Sequence, residues 1–116
     1  MALDSRTLAL RAVELAQSKK AEDVVLMDLR RVTNITEFFV VCTARSDAQL
    51  RAVADGITEG LAAQKHKVWH AEGYGQNSWV LLDYVDFVVH VFLPDTREYY
   101  ALERLWGDAP VQRFPD

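Results

Sequence analysis

Two aspartates, Asp83 and Asp86, stand close together inside the apolar run Trp79-Val80-Leu81-Leu82-Asp83-Tyr84-Val85-Asp86-Phe87-Val88-Val89-His90-Val91-Phe92. Paired carboxylates at a turn hold divalent ions against phosphates in nucleotidyl-transferring enzymes. Here no third carboxylate and no phosphate-cradling glycine loop accompanies them. In a tight two-residue hairpin the two would face each other, opposing like charges at a cost of roughly a few tenths of a kcal/mol. Three readings follow: a metal or acid–base pair, a docking site where a basic partner relieves the repulsion, or solvated turn carboxylates.

The other reactive side chains are isolated. His90 alternates with Val89 and Val91, the pattern of a hydrogen-bonded sheet histidine rather than a general base. Cys42 lies in an apolar strand without a histidine in an identifiable arrangement, so it reads as a core thiol. A single cysteine excludes a zinc ribbon and an internal disulfide. Gly73-Tyr74-Gly75 lacks the third glycine of a dinucleotide fingerprint and precedes a strand, so it reads as a loop. Lys65-His66-Lys67 is a short basic stretch at a helix end, either solvated or brushing RNA beside a partner.

The chain that must position these groups has 116 residues, 50% of them hydrophobic and 26% charged, enough for one domain spanning residues 1–116. With 13 Lys+Arg against 17 Asp+Glu, its net charge of -4 argues against strong direct nucleic-acid binding through phosphate neutralisation. No apolar stretch approaches the ~20 residues needed to cross a bilayer. The expected compartment is the cytoplasm, given the lone cysteine and the lack of a secretion-signal pattern.

Leu8, Ala12, Leu15 and Ala16 recur at helical spacing after Asp4 and Ser5, which predicts a helix over about Ser5 to Ser18. Val24-Val25-Leu26-Met27 and Phe38-Phe39-Val40-Val41-Cys42-Thr43 read as neighbouring strands, the first a central one. Ser46 and Gln49 form a capping box before the stripe Leu50, Val53, Ala54, Ile57, Leu61, which predicts a helix ending near Gln64. Gly56 and Gly60 within it suggest close backbone packing. A strand at Val68-Trp69-His70, the loop Glu72 to Asn77, and an antiparallel hairpin from Trp79 to Phe92 follow. Asp95 and Glu98 suggest a second capping box, and Tyr99, Leu102, Leu105 and Trp106 the apolar face of one last helix ending at Gly107. The expected fold is α/β (α+β): a mixed five-stranded sheet flanked by helices, in the order α-β-β-α-β-β-β-α. The length of the connection through the Ser46 helix predicts that the Phe38 and Val68 strands run parallel.

Alternation puts Trp79 and Leu81 on one face of the hairpin and Val80 and Leu82 on the other, so both faces demand cover. Either the last helix supplies it, through Tyr99 and Trp106, or Trp79 and Leu81 remain as a patch for a partner.

The hairpin run, followed by Tyr100 and by Leu102-Glu103-Arg104-Leu105-Trp106-Gly107-Asp108-Ala109-Pro110, resembles the Iojap-related ribosomal silencing factor family. The likeness extends to the first helix, the Asp28 strand, Ile35-Thr36-Glu37-Phe38-Phe39-Val40, the Ser46-Asp47 helix start and Glu72-Gly73. It implies a nucleotidyltransferase-like sheet without catalytic activity or cofactor. The implied partner is the large ribosomal subunit, through its protein fourteen, where the chain would block small-subunit joining and damp translation under nutrient limitation. It implies a homodimer off the ribosome. By the same resemblance Trp79 and Tyr84 would be anchors, Asp83 and Asp86 acidic partners for basic groups, and Leu81 a flanking contact. The alternative is a metal-dependent nucleotidyltransferase-like enzyme using Asp83 and Asp86. The family's usual glycine is replaced by Val85, so the turn is either of another type or strained.

Overall fold

The computed structural model describes residues 4–75 and 78–116. Gln76 and Asn77, at the end of the expected Glu72 loop, lie outside the described residues. Helix α1 spans Ser5–Ser18 as its periodicity predicts, and its N-cap is Asp4, whose carboxylate accepts from the Thr7 amide. Strands β1 (Glu22–Asp28) and β2 (Phe38–Thr43) pair antiparallel, with Val25 opposite Val41 and Met27 opposite Phe39. Helix α2 (Asp47–Ala63) begins at Ser46, whose hydroxyl accepts from the Gln49 amide. The Gln49 side chain reaches back to the Arg45 amide at 2.7 Å, one residue earlier than in a standard capping box.

The glycines of α2 are explained by its neighbour. A Cβ on Gly60 would lie 2.5 Å from Leu15 Cδ2, and one on Gly56 would lie 2.9 Å from Lys19 Cγ. Arg11 meets Gln64 at 3.2 Å, so α1 and α2 run antiparallel along this glycine seam.

The remaining elements are β3 (His70–Glu72), β4 (Trp79–Asp83), β5 (Phe87–Phe92), the short helices α3 (Pro94–Tyr100) and α4 (Leu102–Leu105), and β6 (Val111–Phe114). The sheet has six strands in the order β3-β4-β5-β2-β1-β6, one more than expected. The added strand, β6, pairs antiparallel with β1 and places that strand inside the sheet. The β4–β5 hairpin is antiparallel as expected, and β5 pairs parallel with β2. The third strand starts two residues later than expected, at His70, and pairs with β4 at the sheet edge. It runs in the direction of β2, but β4 and β5 stand between them.

The expected last helix is two helices. Ala101 takes a left-handed conformation (φ 46°) between them, and α3 is capped by Leu93 without a side-chain bond rather than by Asp95. Its end is fixed from outside: Arg97, nearly buried, donates to the Asp23 carbonyl at 2.6 Å and to Thr43 Oγ1 at 2.9 Å.

The two faces of the sheet are covered unequally. Val24, Leu26, Phe38, Val40, Cys42, Val80, Leu82, Val89 and Val91 pack under α1 and α2 in one core. The opposite face, with Val25, Met27, Val41 and Phe92, is covered by Leu29, Leu102, Ala109 and Trp106, and leaves Phe39 and Trp79 half-buried. Burying the first face against two long helices and the second against short pieces leaves the hairpin end of the second face only partly covered.

Candidate docking surface on the β4–β5 hairpin

The register of the hairpin assigns each candidate residue to a face. Trp79 lies opposite Phe92, Leu81 opposite His90 and Asp83 opposite Val88, so these three share the thinly covered face. Tyr84 follows the other parity: it packs with the α1–α2 core and its ring stacks on Phe87 at 4.8 Å and 7°. Trp79 and Tyr84 therefore do not form one ridge. Trp79, Leu81 and Asp83 form a strip along β4, and Tyr84 and Asp86 lie beyond it at the tip.

Trp79 is half-buried in an aromatic nest. Its ring centroid is 4.9 Å from Phe92 and 4.6 Å from Tyr100, and its indole N–H donates to His90 Nδ1 at 3.1 Å. The cover over Trp79 thus comes from Tyr100, while Tyr99, the residue expected to supply it, is 81% exposed. Trp106 reaches Phe39 instead, at 6.2 Å. His90 is the residue that sequence reasoning placed in the sheet without seeing its partner. Burial pushes its imidazole down to about 3, so it stays neutral at physiological pH.

The tip is bound tightly to the rest of the molecule. The Asp86 amide donates to the Tyr84 carbonyl at 2.9 Å, closing a three-residue γ-turn on Val85 at φ 74°. This is a conformation that β-branched residues resist. Asp83 Oδ1 accepts from the Val85 amide at 2.7 Å, Thr36 Oγ1 donates to the Val85 carbonyl at 3.0 Å, and the Glu37 amide donates to the Asp86 carbonyl at 3.0 Å. Over-determination of this kind is what holds a strained residue in place. It leaves Val85 and Ile35 exposed, at 56% and 79%.

This register also corrects the expected pairing of the two aspartates. Tyr84 bonds to Phe87, and Asp83 pairs with Val88, so Asp83 and Asp86 do not stand opposite each other. One carboxylate is engaged by the turn, and among the described residues no group of three or more His, Cys, Asp and Glu side chains is placed to hold a metal ion. The donor set does not fit a divalent-metal centre. The Cys42 thiol is fully buried, and burial pushes it up to about 12, far from a thiolate at neutral pH. Tyr84 keeps its hydroxyl buried without a partner among the described residues, and burial pushes the phenol up to about 12. No helix among the described residues is long and apolar enough to cross a membrane.

The half-covered aromatic strip thus lies beside a fixed tip. Residues 2–116 match the family model described as ribosomal silencing factor during starvation. The chain belongs to the ribosomal silencing factor family. It is 43% identical over 100 residues to the ribosomal silencing factor of Halalkalibacterium halodurans, covering 86% of each chain. It is 40% identical over 108 residues to the chloroplastic Iojap protein of Zea mays, covering 90% of this chain and 46% of that one. Its fold matches a crystal structure of a Chromobacterium violaceum protein with a TM-score of 0.88 at 31% identity, covering 90% of this chain and 88% of the other. A Bacillus halodurans crystal structure matches at 0.82 and 36% identity, with 95% and 100% coverage.

Proposed function

We propose that this chain docks on the large ribosomal subunit through its protein fourteen and there blocks joining of the small subunit, lowering translation when nutrients are scarce. The observation that carries the reading is the strip Trp79–Leu81–Asp83, half-open on the thinly covered face of the sheet. An aromatic anchor beside an aliphatic contact and a carboxylate suits a basic protein surface. Tyr84 and Asp86 add the far side of the tip, reached from the other face.

The action is steric: a body with a Cα radius of gyration of 12.9 Å fills an intersubunit gap simply by sitting beside it. No catalytic step is required, and the buried Cys42 and His90 offer neither a nucleophile nor a base to solvent. The factor works in the cytoplasm, needs no cofactor and pairs as a homodimer when off the ribosome. Co-sedimentation with purified large subunits tests the docking: Trp79→Ala weakens binding by more than about 2 kcal/mol while the fold persists. Undiminished binding of a folded Trp79→Ala protein removes the proposed site.

A further inference from the structure

Docking through the Trp79 strip leaves the stretch from Lys65 to Trp69 unused. Lys65, His66 and Lys67 follow the end of α2 and line one groove with Tyr84, Asp86 and Phe87 of the hairpin tip. Val68 packs against the core, while Lys67 and Trp69 on either side of it are exposed, Trp69 at 71%. The Trp69 amide donates to the Asp83 carbonyl at 3.0 Å, which fixes this segment beside β4. Cations and an uncovered indole are thus interleaved next to the docking strip.

The fold itself gives these groups no employment. The helix dipole favours Lys65 at the end of α2, but it fades before Lys67 and gives no reason for an exposed indole. Among the described residues neither lysine lies within salt-bridge distance of a carboxylate. The groove sets both lysines against one carboxylate, Asp86. Of the nearby acids, Glu72 meets His70 Nε2 at 3.1 Å, and Asp83 accepts from the Val85 amide.

We infer that Lys65, Lys67 and Trp69 contact an unpaired segment of RNA on the docked large subunit, the lysines facing phosphates and the indole stacking on a base. This deepens the ribosome-docking reading and rests on it for bringing the RNA within reach. Lysines neutralise phosphates without reading sequence, and an exposed aromatic ring accepts any unpaired base on its face. An acidic protein segment would engage the lysines but offers the indole no flat surface. On a chain of net charge -4, two lysines hold free RNA only weakly, so the contact follows docking and does not replace it.

Ultraviolet irradiation of the full chain bound to purified large subunits, followed by digestion and mass spectrometry, yields a nucleotide adduct on Trp69. Replacing both lysines, Lys65→Ala with Lys67→Ala, flattens the dependence of log K on log salt by about 1.4, roughly 0.7 per lysine on an unpaired strand. Trp69→Ala weakens binding about fivefold or more and keeps the parent slope. Circular dichroism verifies that these exposed substitutions leave the fold unchanged. A bound complex without an adduct on Trp69, the result an acidic protein partner would give, overturns the inference, as does an unaltered slope in the lysine variant. Trp79→Ala weakens binding at the parent slope. Undiminished binding of that variant removes the strip and leaves adduct and slope to report on the RNA contact separately.

Discussion

The indole of Trp79 and the imidazole of His90 are hydrogen-bonded diagonally across the β4–β5 pair, with His90 Nδ1 accepting. A neutral ring that accepts at Nδ1 carries its proton on Nε2, and that atom is buried without a partner among the described residues. A second proton would place an unpaired charge in the same site, which is why burial holds the imidazole down at about 3.

The sign of the resulting pH dependence is fixed. Between about 3 and the ordinary histidine value of about 6.5, the unfolded chain binds a proton at His90 that the folded chain does not. Stability is therefore lost as the pH falls through that window, by up to about 1.4 kcal/mol per pH unit, and His90 contributes nothing above it. Urea unfolding at pH 7.5, 6 and 5 shows this slope in the parent and a shallower one in His90→Asn. Parallel slopes in the two proteins would show that His90 does not titrate this way.

Val85 holds a strained φ of 74°. Val85→Gly relieves a steric penalty of roughly 1–2 kcal/mol, less the added freedom of the unfolded chain, and raises stability by about 1 kcal/mol. Thermal melting shows the midpoint rising by a few degrees. A lower midpoint would mean that exposed Val85 makes contacts that outweigh its strain.

Gly73 and Gly75 both have positive φ, at 92° and 79°, but only the first is crowded. A Cβ on Gly73 would lie 1.9 Å from the Trp79 carbonyl oxygen, whereas one on Gly75 meets nothing within 4 Å. Gly73→Ala costs more than about 2 kcal/mol and frees the Ala71 and Glu72 amides of β3 to exchange. Gly75→Ala costs about 1 kcal/mol and leaves them protected. Equal effects would refute the crowding argument.

Arg97 joins α3 to both strands at the start of the fold. Arg97→Ala strips hydrogen bonds from the Asp23 carbonyl, Thr43 and Glu103 and lowers stability by about 2–3 kcal/mol, with amide exchange rising first in α3. Arg97→Lys recovers only part of this, since one ammonium cannot reproduce the fork. Full recovery by lysine would indicate a role for charge alone.

What could be read in advance follows from where each signal resides. The helices α1 and α2 were legible to their ends because Asp4 and Ser46 cap them locally and their apolar stripes face one core. The hairpin was legible from alternation, and so was the separation of Trp79 from Tyr84, since five residues along a strand reverse the face. The resemblance names both as anchors, but alternation sets them on opposite faces. The two aspartates do not face each other because the two-residue turn sits one position later, on Val85-Asp86, where Asp83 and Thr36 secure it. The division at Ala101 has no glycine or proline to announce it, and the end of α3 depends on Arg97, whose partners are distant in sequence. The role of His90 was legible only as a sheet residue, since its bond to Trp79 depends on a diagonal register.

Strand β6 left almost no trace in the sequence because most of its side chains are exposed and its attachment to β1 is through the main chain. Those four residues nevertheless shield β1, whose Val24-Val25-Leu26-Met27 is buried on both faces. Were they to peel away, the amide and carbonyl row on that side of an uncharged valine–leucine segment would lie open to an identical segment from another molecule. Strand β6 thus keeps a strongly β-prone row from standing as an open edge, the arrangement from which edge-to-edge aggregation starts.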